Sequence, residues 1–426
     1  MFKKYLRGGA LYLAIFISLI IAVLLSMLLL HSYYSAIDFR KFSIRQSVHR
    51  NMYSAFNYAS SESFEPTNEP LILDLYENQT DSVEIVKKWW GCYQVVGIRS
   101  SYKGISESML CLTGTSFMKD TALVLTENNK PLSIAGKTEL KGTCFIPKAG
   151  VKAAHIEGET FWGDDFIDGA QLPAPQQLPE INPSILKQFE NLSTAASNAD
   201  SLLTLDQLPA ADTIKNSFLS KTLRIISVGK IVLEDIKFSG NVIIQSPVRI
   251  VVRKSCVLNN VMLMAPCIEI EDEFSGTLQA LASDTILAGD EVTLNYPSSL
   301  ILINKPVPDS THKSIRVPAL IIGEKCRIKG TLLACIKDGN FTNSIYLKIK
   351  KEAEIMGLVY SAGYMDIQGS ITGTAFAKAF ILNTASGVYE QHLLNAVIDR
   401  KSLSDFFAGG IIFKGKKANK IVKWLN

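Results

Sequence analysis

The chain has 426 residues, with 44 lysines and arginines against 40 aspartates and glutamates. Lys414, Lys416, Lys417, Lys420 and Lys423 crowd the C-terminus and more than account for the net charge of +4, so the remainder is near neutral and a nucleic-acid partner is not expected. Seven cysteines, odd in number and without a CxxC pair, argue against a zinc site, and no cofactor or metal is expected.

The first element is a run of uncharged residues from Ala10 to Leu30, behind a leader ending Lys3, Lys4, Arg7, Gly8, Gly9. At about 1.5 Å per residue this run matches the hydrocarbon thickness of a bilayer, which predicts a single membrane-spanning helix at 10–30. It is longer than the apolar region of a cleaved signal peptide, and Ser32-Tyr33-Tyr34-Ser35 is a poor cleavage site. Basic residues flank both sides (Arg40, Lys41, Arg45 and Arg50 follow), so counting them does not set orientation. The short, acid-free leader favours an N-terminus on the inner side. No glycine or proline interrupts the chain from Ala10 to Glu65, and Ile37, Ile44, Val48, Met52 and Ala55 recur at helical spacing. One helix of about 50 residues is therefore expected, with 31–60 as an amphipathic stalk whose stripe (Ile37, Ile44, Val48, Met52) packs on a globular head or on a neighbouring subunit.

A basic leader ending in glycine, then Ala10-Leu11 and an apolar helix that becomes amphipathic, resembles type IV pilins and the minor pseudopilins of type II secretion. The resemblance covers about the first 55 residues. It implies leader processing between Gly9 and Ala10 and assembly with pilin-like or secretion-machine subunits. Where these families carry glutamate as the fifth mature residue, this chain has Ala14.

From 67 to 130 the runs Leu71–Tyr76, Val83–Val86, Cys92–Ile98 and Met109–Leu112, separated by polar turns, predict a small β-meander. Trp89 and Trp90 should point to opposite faces, one into the core. Cys92 and Cys111 are placed to bridge adjacent strands. Otherwise the cysteines read as small buried hydrophobes.

Written in blocks of 19, the chain aligns Thr222, Asn241, Asn260, Gln279 and Ser298. Lys230–Leu233 then falls under Arg249–Val252, and Val242–Ile244 falls over Val261–Leu263 and Ser299–Ile301. Short β-branched runs at a constant period suit a parallel β-helix of about 19 residues per coil. In this register Ile244, Leu263 and Ile301, with Ala282 between, share one inward column. A second rhythm, apolar-x-Gly-x-apolar-x-small, recurs in Arg327–Ala334, Glu354–Ser361 and Ser370–Ala377, and earlier at Leu132–Gly136 and Leu140–Gly142. It resembles bactofilin-like β-helices over about residues 131–150 and 320–382, which implies a cytoplasmic-facing scaffold as one alternative.

Pro173, Pro175, Pro179 and Pro183 stiffen an expected insertion at 162–220 that carries a short helix near 184–191. Asp164, Asp165 and Asp168 at its edge are the weak candidates for acid catalysis, since paired carboxylates serve glycoside cleavage. The body from 222 to 303 shows no stacked acids, the five histidines are scattered, and Arg327-Ile328-Lys329 follows from strand alternation. Enzymatic activity is not expected. At the end, 386–412 breaks the rhythm as a cap, and 413–426 reads as a basic tail for an anionic surface (Lys414, Lys416, Lys417, Lys420, Lys423).

The resulting expectation is a mainly β protein. It comprises a basic leader (1–9), a transmembrane helix (10–30), a helical stalk (31–60), a β-meander (67–130), a first β-helix segment (131–161), the insertion (162–220), the main β-helix (221–385), a cap (386–412) and a tail (413–426). Its expected role is a non-enzymatic component of the bacterial envelope, single-pass in the inner membrane with a periplasmic or surface-exposed ectodomain. Membrane lipid is the expected first partner. The alternative is an anchored β-helix that binds or cleaves envelope polysaccharide.

Overall fold

The computed structural model describes residues 8–61, 64–75, 81–116, 120–194, 201–204, 213–304, 317–337, 345–415 and 420–425. The chain divides into two compact units, one of residues 1–59, 69–86 and 98–109, the other of residues 60–68, 87–97 and 110–426.

In the first unit, α1 runs unbroken from Gly8 to Ala59, roughly 78 Å at 1.5 Å per residue. Past its glycine-containing start it holds no helix breaker, and its last two turns are anchored by buried Met52, Ala55 and Ala59. With it lie parts of the strands Thr67–Leu73, Asp81–Trp90, Tyr93–Tyr102 and Ile105–Ser116, which neighbour one another in chain order as a meander should. Lys103 (φ 46°) and Gly104 (φ 80°) both take the left-handed conformation, the turn that joins two antiparallel strands with only two residues. The meander ends at Ser116 rather than near 130, because Thr121–Leu125 pairs elsewhere.

The second unit is built on parallel ladders that link into one closed sheet. Leu223–Ile226 pairs with Val242–Gln245, and Ile231–Leu233 with Ile250–Val252, each nineteen residues on. Ile243 then pairs with Met262 and Ile244 with Leu263. Alternate residues point inward, so Ile244, Leu263, Ala280 and Leu300 lie in one continuous apolar core.

The fixed period of 19 does not survive the next step. A register shift between Asn259 and Val261 leaves Asn260 unpaired at φ 58°, and Leu263 pairs with Ala280, not Ala282. Ala280 in turn pairs with Leu300. A one-residue slip moves a side chain to the opposite face. Ile301 accordingly leaves the inward column and packs in a second apolar cluster on the outside of the sheet, with Met262, Met264 and Leu281.

The glycine rhythm marks a real corner. Gly330 pairs with Gly357 and Gly357 with Gly373, all with φ between 137° and 152°. A Cβ on Gly357 would stand 2.0 Å from the Gly330 carbonyl oxygen, so only glycine fits this stack.

Chain order and stacking order differ. The piece 121–173 does not precede the main stack; its strands lie beyond the C-terminal coil. Ala375–Ala377 pairs with Leu123–Leu125, His392–Leu394 with Ser133–Ala135, and Val397–Asp399 with Glu139–Lys141. Thr143–Ile146 and Gln171–Pro173 follow. Ser201–Thr204 and Thr213–Asn216 form the opposite end, on Leu223–Ile226 and Lys237–Gly240. The expected boundaries therefore move: the first segment reaches from 121 to 173, the insertion shrinks to about 174–200, and the main stack extends from 201 to 399.

The segment after Pro173 must return along the stack, on the order of 50 Å at about 4.8 Å per rung. It does so as a strap containing α2, Pro183–Thr194. Asn182 caps this helix through its side chain to the Ser184 amide (2.9 Å), with proline at the first helical position. Leu178, Ile181, Ile185 and Leu186 cover the outer apolar cluster. Tyr360 donates to the Pro179 carbonyl (3.2 Å) and Gln188 to the Gly91 carbonyl (3.3 Å).

All seven cysteines are free thiols, six of them buried, and no Cys92–Cys111 bridge forms. The Cys111 thiol donates to the Val96 carbonyl (3.8 Å), while the Cys92 thiol faces Gln279 (3.7 Å). The basic tail is not free either. Lys420–Trp424 is a strand antiparallel to Ile105–Ser116, pairing Lys420 with Gly114 and Trp424 with Cys111.

Candidate functional site

The upper half of α1 is the one helix among the described residues long and apolar enough to cross a membrane. Leu11 to Leu30 are exposed on every side, which in water would leave a large apolar surface uncovered. Ala10 and Gly9 lie within the helix, and the leader lysines and arginine (Lys3, Lys4, Arg7) fall outside the described residues.

The lower half is sided. Val48 and Met52 are buried and Ile37 and Ile44 half-buried. His49 meets Glu107 (3.1 Å), and the Asn51 amide donates to the Asp81 carboxylate. Burying a valine or methionine contributes about 1.5–3 kcal/mol each. Phe39, Phe42 and Tyr53 occupy the opposite face of the helix and are 74%, 63% and 56% exposed. Sequence reasoning missed this aromatic face, although the spacing of 39, 42 and 53 on a helical wheel carries it.

Asp164, Asp165 and Asp168 are exposed. Asp168 takes part in the ladder through a bridge to Lys141, and its carboxylate meets Lys401 at 2.7 Å. Trp162 beside them is 74% exposed, and Phe166 stacks on Phe161 at 5.2 Å between ring centres. Arg327 pairs with Glu354 (3.6 Å) while Ile328 is inward and buried, as alternation requires.

Of the tail lysines, Lys414 pairs with Glu180 (2.5 Å), Lys420 donates to the Asp405 carbonyl, and Lys423 donates to Asn260 (3.0 Å). Burial lowers the pKa of the Lys423 ammonium. These three hold the strap and the last strand to the body. Lys416 and Lys417 fall outside the described residues.

The most elaborate polar arrangement lies on the outer face. Gln279, Ser299 and Thr331 occupy successive rungs of one column, and all three are buried. Gln279 donates to the Trp90 carbonyl (2.9 Å) and accepts from the Cys92 amide (3.1 Å) and the Ser299 hydroxyl (2.9 Å). Thr331 accepts from the Gly410 amide (3.0 Å), and Ile411 donates to the Cys92 carbonyl (2.7 Å). Trp90 packs edge-on against Phe218 at 5.0 Å, which places it in the core, while Trp89 is half-buried against the same cluster. This column fastens the turn at 90–92 and the segment 408–413 to the sheet. A second polar group surrounds fully buried Asp366, which accepts from Tyr346 (2.9 Å) and Gln368 (3.2 Å) and pairs with Lys348 (3.3 Å). Burial raises the Tyr346 phenol well above its ordinary range. With every partner satisfied, both arrangements hold structure.

No family model matches the chain, and no curated protein matches it. Among solved structures, the competence-associated pilin ComZ from Thermus thermophilus is similar at 11% identity, over 90% of this chain and 95% of that one, with a TM-score of 0.24.

Proposed function

We propose that the protein is a membrane-anchored, non-enzymatic subunit of a bacterial envelope assembly, pilin-like in its N-terminal helix and carrying a parallel β-helix as its body. The observation that carries this reading is α1: one unbroken helix, apolar and uncovered above Leu30, sided and packed below it, starting at Gly8-Gly9-Ala10. Lys3, Lys4 and Arg7, crowded against the apolar run with no acid among them, support a single-pass anchor with its body on the periplasmic or outer side. The parallel ladders, the stacked glycine corner and the apolar interior support the β-helix reading. Partner subunits would engage the helix through the uncovered aromatic face of Phe39, Phe42 and Tyr53, because Val48 and Met52 are occupied. Lys414, Lys420 and Lys423 are held by the body, so lipid contact is assigned to α1.

A second reading, binding of an envelope polysaccharide, is favoured by one observation. Trp162 and Phe166 stand exposed beside Asp164 and Asp165, the pairing of aromatic faces and hydrogen-bond acceptors that sugars engage.

The mass of the mature protein tests the first reading. A chain beginning at Ala10 is expected; intact Met1, or a chain starting near Ala36, rejects it. Phe39→Asp with Phe42→Asp is expected to abolish co-purification of partner subunits, while replacement of Asp164, Asp165 and Asp168 by alanine leaves it unchanged. Loss of polysaccharide turnover in the acid variant, with assembly intact, would move the protein to the enzyme class.

A further inference from the structure

The C-terminal coil stands inside the stack. Residues 370–377 pair on one side with Glu354–Ser361. On the other side the same coil pairs with 121–141 through three separate strands: Ala375 with Leu123, Leu393 with Ile134, and Ile398 with Leu140. Side chains reinforce this second seam, with Thr374 donating to the Thr121 carbonyl (2.6 Å) and Thr126 to the Lys378 carbonyl (2.7 Å). Among the described residues no strand of 121–173 pairs with any strand of 201–367. The 121–173 piece is joined to the ladder only through the last coil.

We propose that this seam is a completion lock: the first segment of the parallel ladder in chain order is the last to become structured, and it does so only when the C-terminal coil is in place. The two seams of that coil differ sharply in chain separation. Ile355 and Ile371 are sixteen residues apart, whereas Leu123 and Ala375 are 252 apart. Loop-closure entropy and the slowness of non-local pairing put the near seam first and the far seam last. Until then Leu123 and Ile134, buried in the finished body with Leu140, stack only on Cys144 and Ala153 of their own short piece, less than the roughly three repeats a solenoid needs to stand alone. A chain that stops short of the last coil leaves the apolar edge of this segment unpaired, which marks it as incomplete. Even a finished chain should open along this seam as a unit, so that 121–146 and the far side of 370–399 exchange together.

The test is pulsed hydrogen exchange during refolding of the full-length protein in detergent micelles. Amides in 242–303 are expected to be protected first, those in 370–377 with or after them, and those in 121–146 last. Protection of 121–146 before 370–377, or simultaneous protection of all three regions, overturns the proposal. At equilibrium, Ala375→Asp in the full chain is expected to raise deuterium uptake across both 121–146 and 370–399, with 223–303 unchanged. Wild-type protection of 121–146 in that variant, with 370–377 open, overturns it too. Should the variant not fold, the wild-type refolding order decides.

Discussion

Replacing Gln279 by leucine separates a fastening role from passive burial. The side chain is almost fully buried and holds three partners, so the substitution removes the donor to the Trp90 carbonyl and the acceptor for the Cys92 amide. The two backbone groups cannot move without unwinding the 90–93 turn. Each buried group left unpaired costs about 1–3 kcal/mol, and the added leucine surface offsets on the order of 1 kcal/mol. A net loss of about 2–4 kcal/mol is expected. Urea unfolding in micelles followed by tryptophan fluorescence reads it directly, since Trp90 sits at the fastening point. Hydrogen exchange should also show faster exchange at the Cys92 and Ile411 amides. Gln279→Glu keeps the acceptor, loses the donor and buries a charge, so it should be at least as damaging. A Gln279→Leu protein within about 0.5 kcal/mol of wild type would refute the role of this column.

Two further outcomes follow from the core and the corners. Leu263→Asp places a carboxylate without a partner among Ile244, Ala280 and their neighbours, and should cost several kcal/mol, about the upper end of single-site effects; unchanged thermal stability would show that the column faces outward. The Glu324 amide, then Lys350, hold the Asp290 carboxyl below its ordinary pKa, and the Lys254 amide, then Arg253, do the same for Glu271. Because folding lowers both values, their stabilisation is present above the unfolded pKa values near 4 and is lost as pH falls through the lower folded ones. Thermal midpoints measured from pH 6 to pH 3 should fall less steeply for Asp290→Asn; an identical slope would remove these corners from the acid response.

How much was legible in the chain depended on whether the signal was local. The long apolar helix and its stripe announce themselves because an uncharged run and a 3.6-residue period are properties of neighbouring residues. The glycine corner is equally plain, since Gly330, Gly357 and Gly373 recur inside the same seven-residue rhythm and only glycine tolerates the stack. The inward column went astray one rung later than Asn260, where a register shift between Gly276 and Gln279 sets Ala282 against Leu302 and leaves Ile301 on the other face. A bulge leaves little trace in hydrophobic pattern. The order of stacking was invisible, because nothing near Leu123 distinguishes a strand that precedes Ile225 from one that follows Ala375. Gln279 stood out only as a member of the aligned column with Thr222, Asn241, Asn260 and Ser298; in the structure it is a mid-strand polar group within an apolar face. The tail lysines likewise read as solvated charge, and only the pairing of Lys420–Trp424 with 111–114 reveals an edge strand.

The buried thiols set the protein's relation to its redox surroundings. Burial pushes Cys92, Cys111, Cys144 and Cys335 up to about 12, so at neutral pH these four stay protonated. Disulfide exchange begins with a thiolate that can reach its target, and these groups offer neither the charge nor the access. An oxidant therefore acts on these four only through unfolding, which leaves half-buried Cys267 as the thiol of the folded body that meets its surroundings.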